Sequence, residues 1–169
     1  MIDPSRIIYR ALKLVGINFA ASVPCINLDG LLDLISHDPE IIHIPVTREE
    51  EGVGICAGAW LGGCRPALVM QNSGLGNSIN ALASLDLLYG IPLLMIISHR
   101  GLPGEPIVGQ IPMGKLTPEL LTTMDIPSYS PSLDKAEKFV INAWNQAESQ
   151  RQPVALLFDL EFWGQHETH

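Results

Sequence analysis

Residues 92–98 read Pro-Leu-Leu-Met-Ile-Ile-Ser, so neither alternate set of side chains carries a polar group until the run ends. An extended segment that is apolar on both faces must lie inside a sheet covered from both sides. Residues 19–23, 41–46, 67–71 and 154–158 are further short apolar runs, and 128–130 reads as another short strand. Helical stretches alternate with them. Asp3-Pro4-Ser5 supplies a cap and a first-turn proline to a helix that carries Ile7, Ile8, Ala11, Leu12 and Val15 on one face until Gly16. Asn27 is placed to cap a helix over 28–35, and a run of carboxylates opens another that continues to about residue 61. Residues 77–89, 117–124 and 133–150, the last with Ser132 as cap, complete the series. Residues 99–116 hold three prolines and four glycines without periodicity and read as a long loop. Residues 164–169 read as a frayed tail. The alternation predicts an α/β fold over residues 1–169: a single three-layer, flavodoxin-like domain with a mostly parallel central sheet flanked by helices. Binding loops are then expected at the carboxyl ends of the strands.

Only 17% of residues are charged while 47% are hydrophobic, which leaves an isolated chain short of surface charge and implies cover by other subunits. A net charge of -8 lacks the basic footprint that nucleic acid requires. Any anionic ligand must therefore be held by a few local cations. Cys25, Cys56 and Cys64 show no paired metal-ligand spacing and read as reduced thiols, and no metal site is expected in this chain. Neither a secretory pattern nor an apolar run near the roughly 20 residues that span a bilayer occurs, so a cytoplasmic protein with no membrane contact is expected.

Polar chemistry concentrates at the ends of the apolar runs. Glu49, Glu50 and Glu51 open a helix, but successive helical residues turn by about 100°, so one of the three at most faces a ligand. Carboxylates at a helix amino terminus are favoured by around 0.3–1 kcal/mol each without any further role. Against that bland reading stand Gly52, Gly54 and Gly58, each costing roughly 1 kcal/mol of helix propensity that something must offset. Ser73-Gly74-Leu75-Gly76 reads as a strand-to-helix turn with Asn77 as a possible cap. Asn27, Gln71, Asn72, Ser73 and Asn77 offer amides and hydroxyls to a cleft there, and Gln110 offers another from the long loop. Arg100 with His99 is the best pair of cations for an anion, because a guanidinium fork matches several oxygens at once; Arg48 and Lys115 come next. A plain ion pair for Arg100 and a structural role for His99 remain the alternatives.

Glu49, Gly52, Gly58 and Ser73-Gly74-Leu75-Gly76 stand at spacings that resemble the pyrimidine-binding domain of thiamine diphosphate enzymes of the pyruvate decarboxylase and acetolactate synthase group. That register selects Glu49 over its two neighbours. Arg48, Ala59 and Leu75 depart from the group's usual residues. Longer blocks, Ser22-Val23-Pro24-Cys25, Pro45-Val46-Thr47-Arg48-Glu49-Glu50-Glu51-Gly52, Met70-Gln71-Asn72-Ser73-Gly74-Leu75-Gly76-Asn77, Ile97-Ser98-His99-Arg100-Gly101 and Gln110-Ile111-Pro112-Met113-Gly114, are similar to the alpha subunits of sulfopyruvate decarboxylases. Phosphonopyruvate decarboxylases share the block around Ser73.

The resemblance implies a thiamine diphosphate-dependent carboxy-lyase that converts 3-sulfopyruvate to sulfoacetaldehyde and CO2 in coenzyme M biosynthesis. It assigns Glu49 as the catalytic acid on the cofactor's aminopyrimidine, a task suited to a carboxyl group sheltered from water. Gln71, Ser73, Gly74 and Asn77 become cofactor-binding residues, and Asn27, His99, Arg100 and Gln110 substrate-binding ones. The diphosphate and its Mg2+ need a Gly-Asp-Gly and an Asn-Asn frame, and neither occurs in these residues. A beta subunit is implied to supply them, giving a hetero-oligomer acting on a small anionic 2-oxo acid. A phosphonopyruvate or other 2-oxo acid decarboxylase subunit, a non-catalytic regulatory subunit and a flavodoxin-like nucleotide binder are the rival readings.

Overall fold

The computed structural model describes residues 3–164, so all but Gly164 of the tail expected at 164–169 lies outside them. Six strands form one sheet: β1 Phe19–Ser22, β2 Ile42–Pro45, β3 Pro66–Gln71, β4 Leu93–Ser98, β5 Ser128–Tyr129 and β6 Pro153–Phe158. Their order is β2-β1-β3-β4-β6-β5, and every neighbouring pair is parallel. The helices are α1 Pro4–Leu14, α2 Asp29–Ser36, α3 Glu49–Leu61, α4 Asn72–Ala81, α5 Ile111–Thr123 and α6 Ala136–Gln150. Among the described residues no helix is long and apolar enough to cross a membrane.

Period-two alternation of the buried strands divides the core into two layers. Leu94 and Ile96 of β4 join the layer formed with α1, α2 and α6, while Leu93, Met95 and Ile97 join the layer under α3, α4 and α5. All five are fully buried. The apolar run over residues 92–98 is therefore a central strand sealed on both sides. From β1 the chain steps outward through α2 to β2, then returns past β1 through α3 to β3. Connections leaving β1 and β3 thus pass to opposite faces of the sheet, and a crevice opens between the two strand ends.

Local departures from the expected elements have identifiable causes. The Asp3 carboxylate caps α1 by accepting from the Ser5 and Arg6 backbone N–H groups at 2.9 and 3.4 Å. Asn27 does not cap α2: a single 3-10 turn, Ile26–Leu28, precedes that helix, and the Asn27 amide is drawn into the core instead. Ser132 likewise gives its hydroxyl to Asp134 and caps no backbone N–H. Residues 73–76 are not a turn, because α4 starts at Asn72, five residues before the expected start, and runs through both glycines. Only residues 99–107 of the expected loop lack helix; a 3-10 turn at Val108–Gln110 leads into α5. Pro112 falls in the first turn of α5, where no intrahelical donor is needed. Gly101, at φ +86°, and Gly114 let two backbones cross so closely that a Cβ on either would overlap the other segment.

After Ala81 the chain continues as a π-helical segment, Leu82–Leu87, and Asp86 within it is fully buried. Neither of its carboxylate oxygens has a partner among the described residues, and burial pushes its pKa up to about 7. The Cys56 thiol faces it from α3, itself pushed up to about 12 by burial. In the unfolded chain an aspartate loses its proton near pH 4, so between there and about pH 7 the folded state retains a proton that the unfolded state sheds. Stability carried by this group is complete below pH 4 and is lost as pH rises through 7. Urea titrations across that interval are expected to show the unfolding free energy falling by on the order of 4 kcal/mol through this group. Asp86→Asn should flatten that part of the profile; an unchanged slope in the variant would refute the assignment.

Candidate active site

The sealed strands leave room for polar atoms only where they end. β1, β3 and β4 finish on Ser22, Gln71 and Ser98. Ser98 is fully buried, and its hydroxyl accepts from Asn27 Nδ2 at 3.1 Å, which ties the segment after β1 to the end of β4.

Glu49 is the first residue of α3, where the helix dipole favours a carboxylate. Its neighbours diverge from it as the helical rotation requires. Glu50 pairs with the exposed Arg48, Nε to Oε1 at 2.5 Å, and the exposed Glu51 accepts from the Thr47 hydroxyl at 2.8 Å. Glu49 alone turns inward and is only 7% exposed. Its Oε2 accepts from Asn77 Nδ2 at 3.0 Å, and its side chain lies against Gly74 so closely that a Cβ there would overlap Cγ, Cδ and Oε1. This contact explains why glycine stands inside α4 despite its propensity cost. It also places Asn77 a turn and a half inside the helix, facing Glu49 instead of capping. Of the α3 glycines, Gly52 serves packing, since a Cβ would come within 2.6 Å of Leu68; Gly54 and Gly58 face open space.

Gln71 organises a second group. Its Nε2 donates to Ser73 Oγ at 3.0 Å and to Gln110 Oε1 at 2.9 Å, while the Cys25 thiol donates to its Oε1 at 3.5 Å. Ser73 precedes Gly74, so the two groups share the first turn of α4. Asn72 fixes that turn in place. Its Nδ2 donates to the Arg100 carbonyl and to Thr117 Oγ1, both at 3.0 Å, and its Oδ1 accepts from the Arg100 N–H at 3.0 Å. The sequence reading counted Asn72 as a cleft residue; it is fully buried and instead locks α4, the end of β4 and α5 together.

His99 and Arg100 leave β4 directly behind Ser98. The buried His99 donates from Nε2 to the Gly114 carbonyl at 2.9 Å. Arg100 is 6% exposed, and its guanidinium grips Glu105, Nε to Oε2 at 2.7 Å and Nη2 to Oε1 at 2.5 Å. The pair shifts both partners: Glu105 raises Arg100, and Arg100 holds the Glu105 carboxyl down at about 2. Glu105 escaped the sequence reading. Its only signal was a lone acid in a glycine- and proline-rich stretch close after an arginine. Arg48 is committed to Glu50, and Lys115 lies exposed on α5.

The fold thus gathers Glu49, Gly74 and Asn77 into one group and Gln71, Ser73 and Gln110 into an adjoining one, with Asn27, His99 and Arg100 around the end of β4. Among the described residues no group of three or more His, Cys, Asp or Glu is arranged to hold a metal ion.

Known proteins resemble the chain over nearly its whole length. Residues 3–123 match the family model described as thiamine pyrophosphate enzyme, N-terminal TPP binding domain. Sulfopyruvate decarboxylase subunit alpha of Methanococcus maripaludis is 51% identical over 95% of this chain and 97% of its own length. A sulfopyruvate decarboxylase of Methanosarcina acetivorans is 38% identical over 93% of this chain, which spans only 40% of that longer protein. Among solved structures, a 2-oxoglutarate:ferredoxin oxidoreductase from Magnetococcus marinus superposes with a TM-score of 0.77 at 17% identity, covering 95% of this chain and 29% of the other, and so shares the fold. The chain belongs to the thiamine pyrophosphate enzyme N-terminal TPP binding domain family and, within it, to the group formed by the sulfopyruvate decarboxylase alpha subunits.

Proposed function

We propose that this chain is the alpha subunit of a thiamine diphosphate-dependent decarboxylase that converts 3-sulfopyruvate to sulfoacetaldehyde and CO2, serving coenzyme M biosynthesis. The observation that carries the reading is the inward-turned Glu49, held by Asn77 against a glycine that leaves no side chain between them. A carboxyl group so placed has one oxygen held by Asn77, while Oε1 accepts from no donor among the described residues and would be left to hold the cofactor's pyrimidine. Gly74 keeps the approach clear, and Gln71 and Ser73 offer polar edges beside it.

Thiamine diphosphate, when bound, supplies the electron sink that accepts the pair left behind as CO2 departs. This chain's residues do the rest of their work around it. Glu49 would share the proton that sets the pyrimidine's tautomer, Asn77 fixes the orientation of the Glu49 carboxylate, and the burial of Glu49 keeps water from competing for that proton. Asn27, His99, Arg100 and Gln110 form the substrate side, with Asn27 and His99 positioned by their bonds to Ser98 and Gly114.

A partner chain completes the site. The name of the Methanococcus relative implies a second subunit, and this chain accounts for well under half of the longer Methanosarcina protein. The partner would bring the diphosphate-binding domain and its Mg2+. On this chain the exposed apolar and small residues Ile55, Gly54, Gly58 and Leu61 of α3, next to Glu49, suit burial against it.

In the complex reconstituted with the partner chain, Glu49→Gln should lower turnover of 3-sulfopyruvate about a hundred- to ten-thousand-fold, the range lost with a positioned acid or base, without changing the melting temperature by more than a few degrees. Undiminished turnover in that variant would favour a regulatory subunit. Gly74→Ala offers a complementary check. The three atoms nearest the added methyl all belong to the Glu49 side chain, so the chain should fold and melt near the wild-type temperature while the displaced carboxylate costs the complex most of its activity.

A further inference from the structure

A guanidinium that waits for an anionic substrate inside a protein cannot be left empty, because an unpaired buried charge is strongly destabilising. Arg100 is in this position. Its main chain is pinned on both sides by Asn72, and its side chain is nearly enclosed. The Cys25 thiol, already on Gln71, lies beside the same guanidinium and places it next to the Gln71 group.

The Glu105 carboxylate is gripped by four donors. Two come from the Arg100 fork, and two are the backbone N–H groups of Gly101 and Ile107 at 3.0 and 3.1 Å. A fork joined by two backbone amides makes an anion cradle that does not depend on the identity of its occupant. A sulfonate has the same charge as the carboxylate and one more oxygen. The Glu105 side chain is itself enclosed, but the segment that carries it has few other buried groups. Pro103, Gly104 and Pro106 are exposed, Gly104 has open space around it, and Ile107 and Val108 are 51% and 77% exposed.

We propose that the cradle of Arg100, Gly101 N–H and Ile107 N–H is the subsite for the substrate's sulfonate, and that Glu105 is a resident counter-ion which the sulfonate displaces. Exchange of one anion for another keeps the guanidinium paired throughout, so its burial carries no penalty before substrate arrives. Glu105 then acts as a specificity residue: a 2-oxo acid without a second anionic group cannot expel it and binds with the cradle closed. The identity of the substrate rests on the decarboxylase reading above, whereas the cradle itself can be tested without cofactor or turnover.

Ethanesulfonate is the probe, carrying the acid group without the keto acid, and its binding to the full chain is measured by calorimetry and by the melting temperature. Glu105→Gln removes the competing charge but keeps the side-chain shape, and should bind ethanesulfonate about tenfold more tightly than wild type, a gain equal to one charge-assisted hydrogen bond. Arg100→Gln added to that variant should abolish the gain. If Glu105→Gln fails to fold, Glu105→Asp, which draws the carboxylate back from the fork, should show a smaller shift in the same direction. Ethanesulfonate binding no tighter in the folded variant than in wild type overturns the proposal and leaves Arg100 and Glu105 as a structural clamp. In the reconstituted complex, the same substitution should lower KM for 3-sulfopyruvate with little change in kcat. A clamp would instead predict a lower kcat, a higher KM and no response to ethanesulfonate.

Discussion

The structure depends on one constraint: β3 and β4 are closed to water on both faces, so nothing polar fits along their length. Every group able to do chemistry is pushed to the strand ends, and parallel pairing sends the carboxyl ends of β1, β3 and β4 to the same edge of the sheet. Because the connection after β1 goes to one face and that after β3 to the other, a crevice opens there without any loop having to be long. Asn72, Ser98 and Asn27 then bind the strand ends to one another through bonds that are buried and satisfied, which makes the edge rigid before any ligand arrives.

Helix α4 shows how local cost is converted into geometry. Two glycines in its first turns weaken it as a helix, yet Gly74 is the only residue that admits Glu49 so close to the helix axis. The loss of roughly 1 kcal/mol of propensity is small beside the packing of α4 on α3 and on the sheet. Gly101 and Gly114 repeat the trade at the crossing of the loop and α5, which brings Gln110 within reach of Gln71.

Three carboxylates of this acidic chain are set in three different ways. Glu49 is sheltered and held at one oxygen by a neutral amide. Glu105 is matched to a buried guanidinium and two backbone amides, and its acidity is strengthened accordingly. Asp86 is enclosed in the π-helical segment without a partner among the described residues, and its acidity is weakened. Environment, not residue type, sets what each can do.

From the residues alone came the α/β class, all six strands, the limit of one ligand-facing acid among three in a row, and the family, whose spacing singled out Glu49. Those features follow from periodicity, helical rotation and motif spacing, which are properties of neighbours along the chain. Several features were not legible there: α4 beginning at Asn72, Asn27 turning from a cap to Ser98, the long loop condensing into α5, and Glu105 answering Arg100. Glycines read as breakers because their compensation, the Glu49 side chain or a crossing backbone, lies 25 or more residues away in one case and on another segment in the other. The sequence by itself determined which residues are buried in strands and that at most one of the three acids faces a ligand, since each is decided within a few residues by the geometry of one helix or strand. Tertiary structure alone decided where each amide and cation finds its partner, because side chains at the strand ends choose among donors and acceptors that only the folded sheet brings to 3.0–3.1 Å of one another.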